Sequence, residues 1–170
     1  MQFFIFGILF FIIIFIFIFI FHYLKLKELH EITLTCTSKI DEALENKKNI
    51  VAELLGAIKN NALNDIYNID DNMDLFTKEE ILFDVSWNIN KVLDEKPKEI
   101  KKKKVKELFK NLKSIDEEIE GLKDFYNVKM NIYNDTYNKK PFYFLYKMLN
   151  FYPGRNFKIK KIEDYEILKN

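Results

Sequence analysis

Residues 3–21, which read FFIFGILFFIIIFIFIFIF, contain no polar side chain. A helix of this length measures about 28 Å, which matches a hydrocarbon core of roughly 30 Å. A cleaved signal peptide has a basic start, a shorter apolar core and a small-residue cleavage site, and this stretch has none of the three. The sequence therefore predicts a retained transmembrane helix from Phe3 to Phe21.

The charges that flank the apolar run predict its orientation. No Lys or Arg precedes the run, whereas Lys25 and Lys27 follow it closely. Because basic residues favour the cytoplasmic side, we expect the N-terminus outside and the remainder of the chain in the cytoplasm. Residues 1–24 then form a short external N-terminus and a single-pass anchor in the cell membrane.

The composition argues against several classes of protein. Lys and Arg total 27 against 26 Asp and Glu, so the net charge of +1 gives no electrostatic case for binding nucleic acid. The single Cys36 excludes an internal disulfide framework and fits a reducing compartment. His22 and His30 have no companion ligands nearby in the sequence. We expect no metal and no cofactor.

The first segment after the anchor has a helical pattern. Apolar residues recur at helical spacing from Lys39 to about Asp65, and no Pro or Gly interrupts Phe21 to Val51. This helix is therefore predicted to continue directly from the membrane. The following stretch, residues 68–76, alternates acidic and amide side chains like a calcium loop. However, Leu75 and Ile81 occupy the places where such a loop needs Gly and Glu, so we reject calcium.

A second helix is predicted to begin at a capping box, Thr77 to Glu80. Its apolar residues fall on two faces. One face carries Ile81, Val85, Ile89 and Val92, and Phe83 and Trp87 lie nearly opposite. Such a helix is either sandwiched inside a bundle or offers one face to a partner. Both interpretations of Phe83 and Trp87 remain open at this stage.

Pro97 is predicted to open a third helix with a regular apolar seam. The seam steps by three and four residues through Val105, Leu108, Leu112, Ile115, Ile119, Leu122 and Tyr126. Tyr126 and Tyr133 occupy successive equivalent positions, and each is followed by Asn. We interpret both tyrosines as structural, with buried rings and hydroxyls that find polar partners, and expect the Asn side chains to reach the facing helix.

An aromatic segment follows Pro141, and Pro153-Gly154 is predicted to end it. Aromatic residues surround this short helix on all sides, although only one side can be buried. Some rings are expected to cap the bundle, and the others form a candidate interface. The candidates in this segment are Phe142, Phe144, Tyr146 and Phe151. We hypothesise that it carries self-association or binding of a protein partner.

The chain resembles the LemA family of membrane-anchored bacterial helical proteins. The resemblance rests on the spacing of Tyr126-Asn127, Tyr133-Asn134, Pro141 and Phe151, and on Pro97 before them. The segments IDEA at 40–43 and NIVAELLGAIK at 49–59 are similar to the first helix of that family. The chain departs from the family where Ala52-Glu53-Leu54 replaces the usual Pro-Asn-Leu.

The resemblance implies an all-α fold: an N-terminal transmembrane helix followed by an antiparallel, up-down, coiled-coil-like bundle of long helices. We assign residues 25–152 to the cytoplasmic bundle and 153–170 to a C-terminal tail. No catalytic motif or small-molecule site is evident, so we expect a non-enzymatic scaffold that contacts proteins or membrane. A regulatory or signalling subunit that transmits a membrane state to a soluble partner is the alternative. The lysine run 101–104 is either a solvated face or a contact for anionic lipid.

Overall fold

The computed structural model describes residues 2–58, 69, 73–95 and 102–158. Within these residues the regular structure is entirely helical, so the all-α prediction is confirmed. The helices are α1 (Gln2–Ile58), α2 (Leu75–Glu95), α3 (Lys103–Tyr137) and α4 (Tyr143–Met148). The predicted start of the third helix at Pro97, part of the stretch 68–76 and Lys101 of the lysine run lie outside the described residues.

Helix α1 is continuous through the apolar run and beyond it, as the sequence predicts. Its N-terminal part is long and apolar enough to cross a membrane, and no residue of its most apolar window is buried within the protein. Further along, the hydroxyls of Thr33 and Thr35 donate to the carbonyl oxygens of His30 and Glu31, at 2.8 and 2.9 Å. These threonines therefore satisfy their polar atoms within the helix.

The start of α2 differs from the prediction. The helix begins at Leu75, so Thr77 lies in the first turn instead of preceding it. The Asp74 carboxylate accepts hydrogen bonds from the backbone N–H groups of Phe76 and Thr77, at 3.1 and 3.3 Å, and from the Thr77 hydroxyl. Asp74 thus fills the capping role that the sequence assigned to Thr77, because its carboxylate reaches the N–H groups that the first turn leaves unpaired.

The chain divides into two compact units, which are described separately. The aromatic unit comprises residues up to 35 together with 126–156, and the ion-pair unit comprises 36–125 together with the residues from 157 onwards. In the ion-pair unit, aliphatic side chains of three helices form one core. Its buried members are Val51, Leu54, Leu55, Ile58, Val85, Ile89, Leu93, Val105, Leu108 and Leu112.

Contacts within the ion-pair unit define the directions of its helices. Lys47 of α1 pairs with Asp116 of α3, and Cys36 lies against Leu122, so these two helices are antiparallel. Helix α2 is also antiparallel to α3, because Glu79 near its start pairs with Lys123 while its later residues share the aliphatic core with residues 105–112. In contrast, Lys78 near the start of α2 pairs with α1 at Asp41, while the later residues of both helices share the aliphatic core. Helices α1 and α2 therefore run in the same direction.

The short helix α4 ends earlier than the sequence predicts. Its last residue is Met148, and Asn150 has a φ of 60° in the left-handed region that Asn tolerates. The Phe151 N–H donates to the Tyr146 carbonyl oxygen at 3.0 Å, and the Asn150 N–H to that of Lys147 at 3.2 Å. This is a Schellman cap, so Asn150 ends the helix before Pro153-Gly154 is reached.

Candidate interaction surface

Two of the predicted interface residues, Phe142 and Tyr146, are core residues of the aromatic unit. They are 5% and 0% exposed, respectively. The Phe142 ring lies 5.4 Å from that of Phe15 and 5.8 Å from that of Phe19, between ring centroids. The Tyr146 ring stacks on Phe19 at 6.0 Å. This face of α4 therefore packs against the apolar run of α1.

The other two residues of the segment have different environments. Phe144 is 66% exposed. Phe151 is half-buried and meets Tyr23 and His30 edge-on, with centroid distances of 5.9 and 5.8 Å. Only Phe144 of the four thus presents most of its ring to the surroundings. The aromatic segment therefore combines a structural face with an exposed face, and its use as a partner surface stays a prediction.

The repeated Tyr-Asn pair holds the segment that follows α4. The Tyr126 hydroxyl donates to the Arg155 carbonyl oxygen at 3.1 Å, and the Tyr133 hydroxyl to that of Tyr152 at 2.9 Å. Both rings are buried, as predicted. The hydroxyl partners are backbone atoms of an irregular segment, which the heptad pattern does not reveal.

Asn134 binds the same segment with both ends of its amide. Its Nδ2 donates to the Gly154 carbonyl oxygen at 3.0 Å, and its Oδ1 accepts from the Gly154 N–H at 2.9 Å. The expectation that this side chain reaches a facing helix is therefore wrong. The Asn134 amide thus pairs with both backbone polar groups of Gly154, as the backbone of a neighbouring β-strand would.

Gly154 lies close against the buried Met130. A side chain added at Gly154 would collide with the thioether end of the buried Met130. One helical turn before Asn134, the Asn131 Oδ1 accepts a hydrogen bond from the Asn156 side-chain amide at 2.7 Å. Residues 152–156 are therefore held along α3, although the sequence assigned those after 152 to a tail.

Burial also changes the acidity of Tyr133. Desolvation raises the pKa of its phenol, and the hydrogen bond with Tyr152 partly opposes this shift. The hydroxyl consequently stays protonated and remains a hydrogen-bond donor to the Tyr152 carbonyl oxygen through the physiological pH range.

Phe83 and Trp87, the remaining interface candidates, lie on α2 in the ion-pair unit. Both side chains are half-buried, and both interact with neighbouring residues. The opposite face of α2, with Val85 and Ile89, is fully buried. The proposed use of Phe83 and Trp87 as a partner surface stays a prediction.

The ion-pair unit contains a group of buried charges that the sequence analysis missed. Lys123 Nζ lies 2.5 Å from Glu79 Oε1, and these side chains are 6% and 5% exposed. Lys47 Nζ lies 2.6 Å from Asp116 Oδ1, and Lys47 is 4% exposed. Lys47 lies three residues after Leu44 and four before Val51, so helical spacing could have marked it as a buried position. Lys123 follows Leu122 just as the exposed Lys113 follows Leu112, so the local sequence does not mark it.

A third lysine, Lys78, bridges to two carboxylates of α1. Its Nζ lies 2.9 Å from Asp41 Oδ1 and 3.0 Å from Glu45 Oε1. The hydrogen bond to Asp41 is the largest cause of a raised pKa for Lys78, and burial opposes it. At Asp116, burial raises the carboxyl pKa, and the nearby Lys47 ammonium opposes that shift. These pairs favour the observed register of the three helices, because a shift that separated them would leave buried charges without partners.

The other residues considered from sequence have ordinary environments. Cys36 is buried, its thiol points to the Leu122 carbonyl oxygen at 3.4 Å, and burial raises the pKa of the thiol. Residues 102–104 of the lysine run are exposed. Among the described residues, no group of three or more His, Cys, Asp or Glu side chains is arranged to hold a metal ion.

Comparisons with known proteins identify no relative. No family model, no curated protein and no solved structure matches this chain.

Proposed function

We propose that this chain is a non-enzymatic, single-pass membrane scaffold that presents a cytoplasmic helical bundle for protein contacts. The observation that carries the proposal is helix α1. Its residues from Phe4 to Phe21 expose large apolar side chains, and its residues from Ile40 to Ile58 form part of the buried aliphatic core. One uninterrupted helix thus serves both as candidate anchor and as a structural member of the bundle.

Packing in the aromatic unit supports a retained anchor over a cleaved signal peptide. Phe142 and Tyr146 are buried against Phe15 and Phe19. Removal of the apolar run would expose both rings to water, at a cost of roughly 1.5–3 kcal/mol for each large apolar side chain. The orientation, with the N-terminus outside, follows from Lys25 and Lys27 and belongs to the same proposal.

Cysteine labelling in intact cells tests the anchor and its orientation. In a Cys36→Ala background, Ser114→Cys places a thiol at an exposed position of α3. A membrane-impermeant maleimide should label it only after the cells are permeabilised. Labelling of intact cells would reverse the orientation, and release of the protein from membranes by alkaline carbonate would refute the anchor.

A second experiment separates the scaffold from a regulatory subunit. The purified full chain in detergent should self-associate if it is a scaffold. Light scattering measures the molar mass of the resulting assembly. A regulatory subunit would instead remain monomeric until a specific soluble partner is added. A monomer that binds one enzyme recovered by affinity purification and mass spectrometry would therefore favour the alternative.

A further inference from the structure

The contacts of α4 set its level along the apolar run. Phe142 touches Phe15 and Phe19, and it also lies 5.3 Å from the His22 ring. Phe15 lies about 9 Å and Phe19 about 3 Å before the end of the run at Phe21, at the usual helical rise. If the run spans a bilayer, the start of α4 is therefore level with its last turns, close to the lipid headgroups.

The outer face of α4 is apolar as well. Phe144 and Met148 are spaced i and i+4, so they share one face, and each is 66% exposed. Phe142 and Tyr146 share the opposite face and are buried. Beyond the helix, Tyr152 is 59% exposed. A soluble protein rarely leaves such a continuous apolar patch in water.

The charges around α4 have a single sign. Residues 138–156 contain Lys139, Lys140, Lys147 and Arg155 and no Asp or Glu. All four basic residues are exposed. Tyrosine rings and basic side chains flanking an apolar face are typical of segments that lie at the surface of an anionic membrane.

We infer that α4 and its flanking residues 139–152 form a second membrane contact, lying in the headgroup region of the bilayer that the apolar run crosses. This inference rests on the proposed anchor. Phe144 and Met148 insert between lipid chains, and Lys139, Lys140 and Lys147 face lipid phosphates. We assign lipid as the partner of the outer face of α4. The opposite face of α4 packs on the membrane-crossing segment, and at that level lipid surrounds the protein surface that no other segment covers.

Tryptophan fluorescence of the full chain in lipid nanodiscs tests the inference. Trp87→Phe removes the native tryptophan, and Phe144→Trp or Met148→Trp introduces a reporter on the outer face. Phe11→Trp reports on the middle of the anchor, and Ser114→Trp reports on an exposed site of α3. Each variant is measured with lipids brominated near the headgroup or near the chain end, and with the aqueous quencher acrylamide.

The expected result is loss of fluorescence from the Phe144→Trp and Met148→Trp reporters, greatest with bromine near the headgroup, together with protection from acrylamide. The Ser114→Trp reporter should be quenched by acrylamide and not by brominated lipid. The Phe11→Trp reporter should lose most fluorescence with bromine near the chain end. Exposure of both α4 reporters to acrylamide without loss to bromine would overturn the inference while the anchor stands. Protection of both from either quencher would overturn it in favour of a protein interface. A Phe11→Trp reporter that bromine does not affect would refute the anchor itself.

Discussion

The two units of this protein bury different kinds of side chain. In the aromatic unit, the described core contains rings such as Phe142, Tyr133 and Tyr146, and no charged side chain is buried there. In the ion-pair unit, aliphatic residues surround the buried Lys47, Lys78, Glu79 and Lys123. The same helices α1 and α3 contribute to both units. One helix can therefore contribute to an aromatic core along one part of its length and to an aliphatic core with buried ion pairs along another. The segments packed against each part determine which kind of core forms.

This difference has a physical reason. In the aromatic unit, the hydroxyls of Tyr126 and Tyr133 are satisfied by backbone carbonyls, which requires no burial of charge. The lysines of the ion-pair unit are satisfied by carboxylates of other helices, which stabilises one register over others. If the apolar run spans a membrane, as proposed, rings and neutral hydrogen bonds suit the unit that contains it, because a charge near lipid carries a large desolvation cost.

The largest effect is expected when a tyrosine of the repeat loses its ring. Tyr133→Ala should lower the free energy of unfolding by about 3–5 kcal/mol, because it removes a buried ring and leaves the Tyr152 carbonyl unpaired. Tyr126→Ala should behave similarly. Chemical unfolding of the full chain in detergent, followed by circular dichroism, measures the change.

The matched variant Tyr133→Phe retains the ring and removes only the hydroxyl. It should cost about 0.5–1.5 kcal/mol, the value of one hydrogen bond. An alanine variant as stable as the parent would mean that the ring does not contribute to the core. The conclusion that buried rings stabilise the aromatic unit would then be wrong.

The second effect concerns the buried pair of Lys123 and Glu79. Lys123→Met should destabilise the protein by at least ~3 kcal/mol, because it leaves a carboxylate buried without its partner. The double variant Lys123→Met, Glu79→Leu should recover most of this loss, since neither charge remains. Guanidinium unfolding of the four members of this mutant cycle gives the coupling energy.

The exposed Lys113→Met serves as the control and should change stability by less than about 0.5 kcal/mol. A Lys123→Met variant with the same stability as this control would contradict the buried pair. The ion-pair unit would then depend only on its aliphatic core.

A third effect is expected at Gly154 of the aromatic unit. Gly154→Ala should cost about 0.5–1.5 kcal/mol, because the flexible but buried thioether end of Met130 must move to a less favourable rotamer. Gly121→Ala is the matched control, since no atom lies near its added methyl group in α3. This control should stabilise the protein by about 0.5–1 kcal/mol, as alanine does within helices. Equal thermal midpoints for the two variants would refute the close fit at Gly154.

The smallest effect is a pH dependence of the ion-pair unit. The pKa of Lys78 is raised above its usual 10.5. Its stabilising contribution is therefore complete below that pH, and it is lost as the pH rises through the pKa of the folded state. Because the side chains of Asp41 and Glu45 are 53% and 43% exposed and solvent screens them, the effect should stay under about 1 kcal/mol. The stability difference between the parent and Lys78→Met should shrink above pH 10.5; a constant difference would argue against the charge interaction.

Periodicity in the sequence determined much of the fold. The uncharged run at 3–21 and the unbroken sequence after it indicate one continuous helix. The apolar spacing in the later part of α1 and in the seam of α3 also indicates which face is buried, because residues three and four apart lie on one side. The buried positions of Val105, Leu112, Tyr126 and Tyr133 follow from this rule. Helix ends were less accurate, since Asp74 and Asn150 act through local hydrogen bonds that the pattern does not contain.

Tertiary structure alone decided which distant groups satisfy the polar side chains. The sequence places Tyr133 and Asn134 on α3, but only the fold brings Tyr152 and Gly154 to them. Likewise, nothing local distinguishes the buried Lys123 from the exposed Lys113, because burial depends on the arrival of Glu79 from another helix. A repeat fixes the direction in which a side chain points, whereas its partner is set by the packing of segments far apart in the chain.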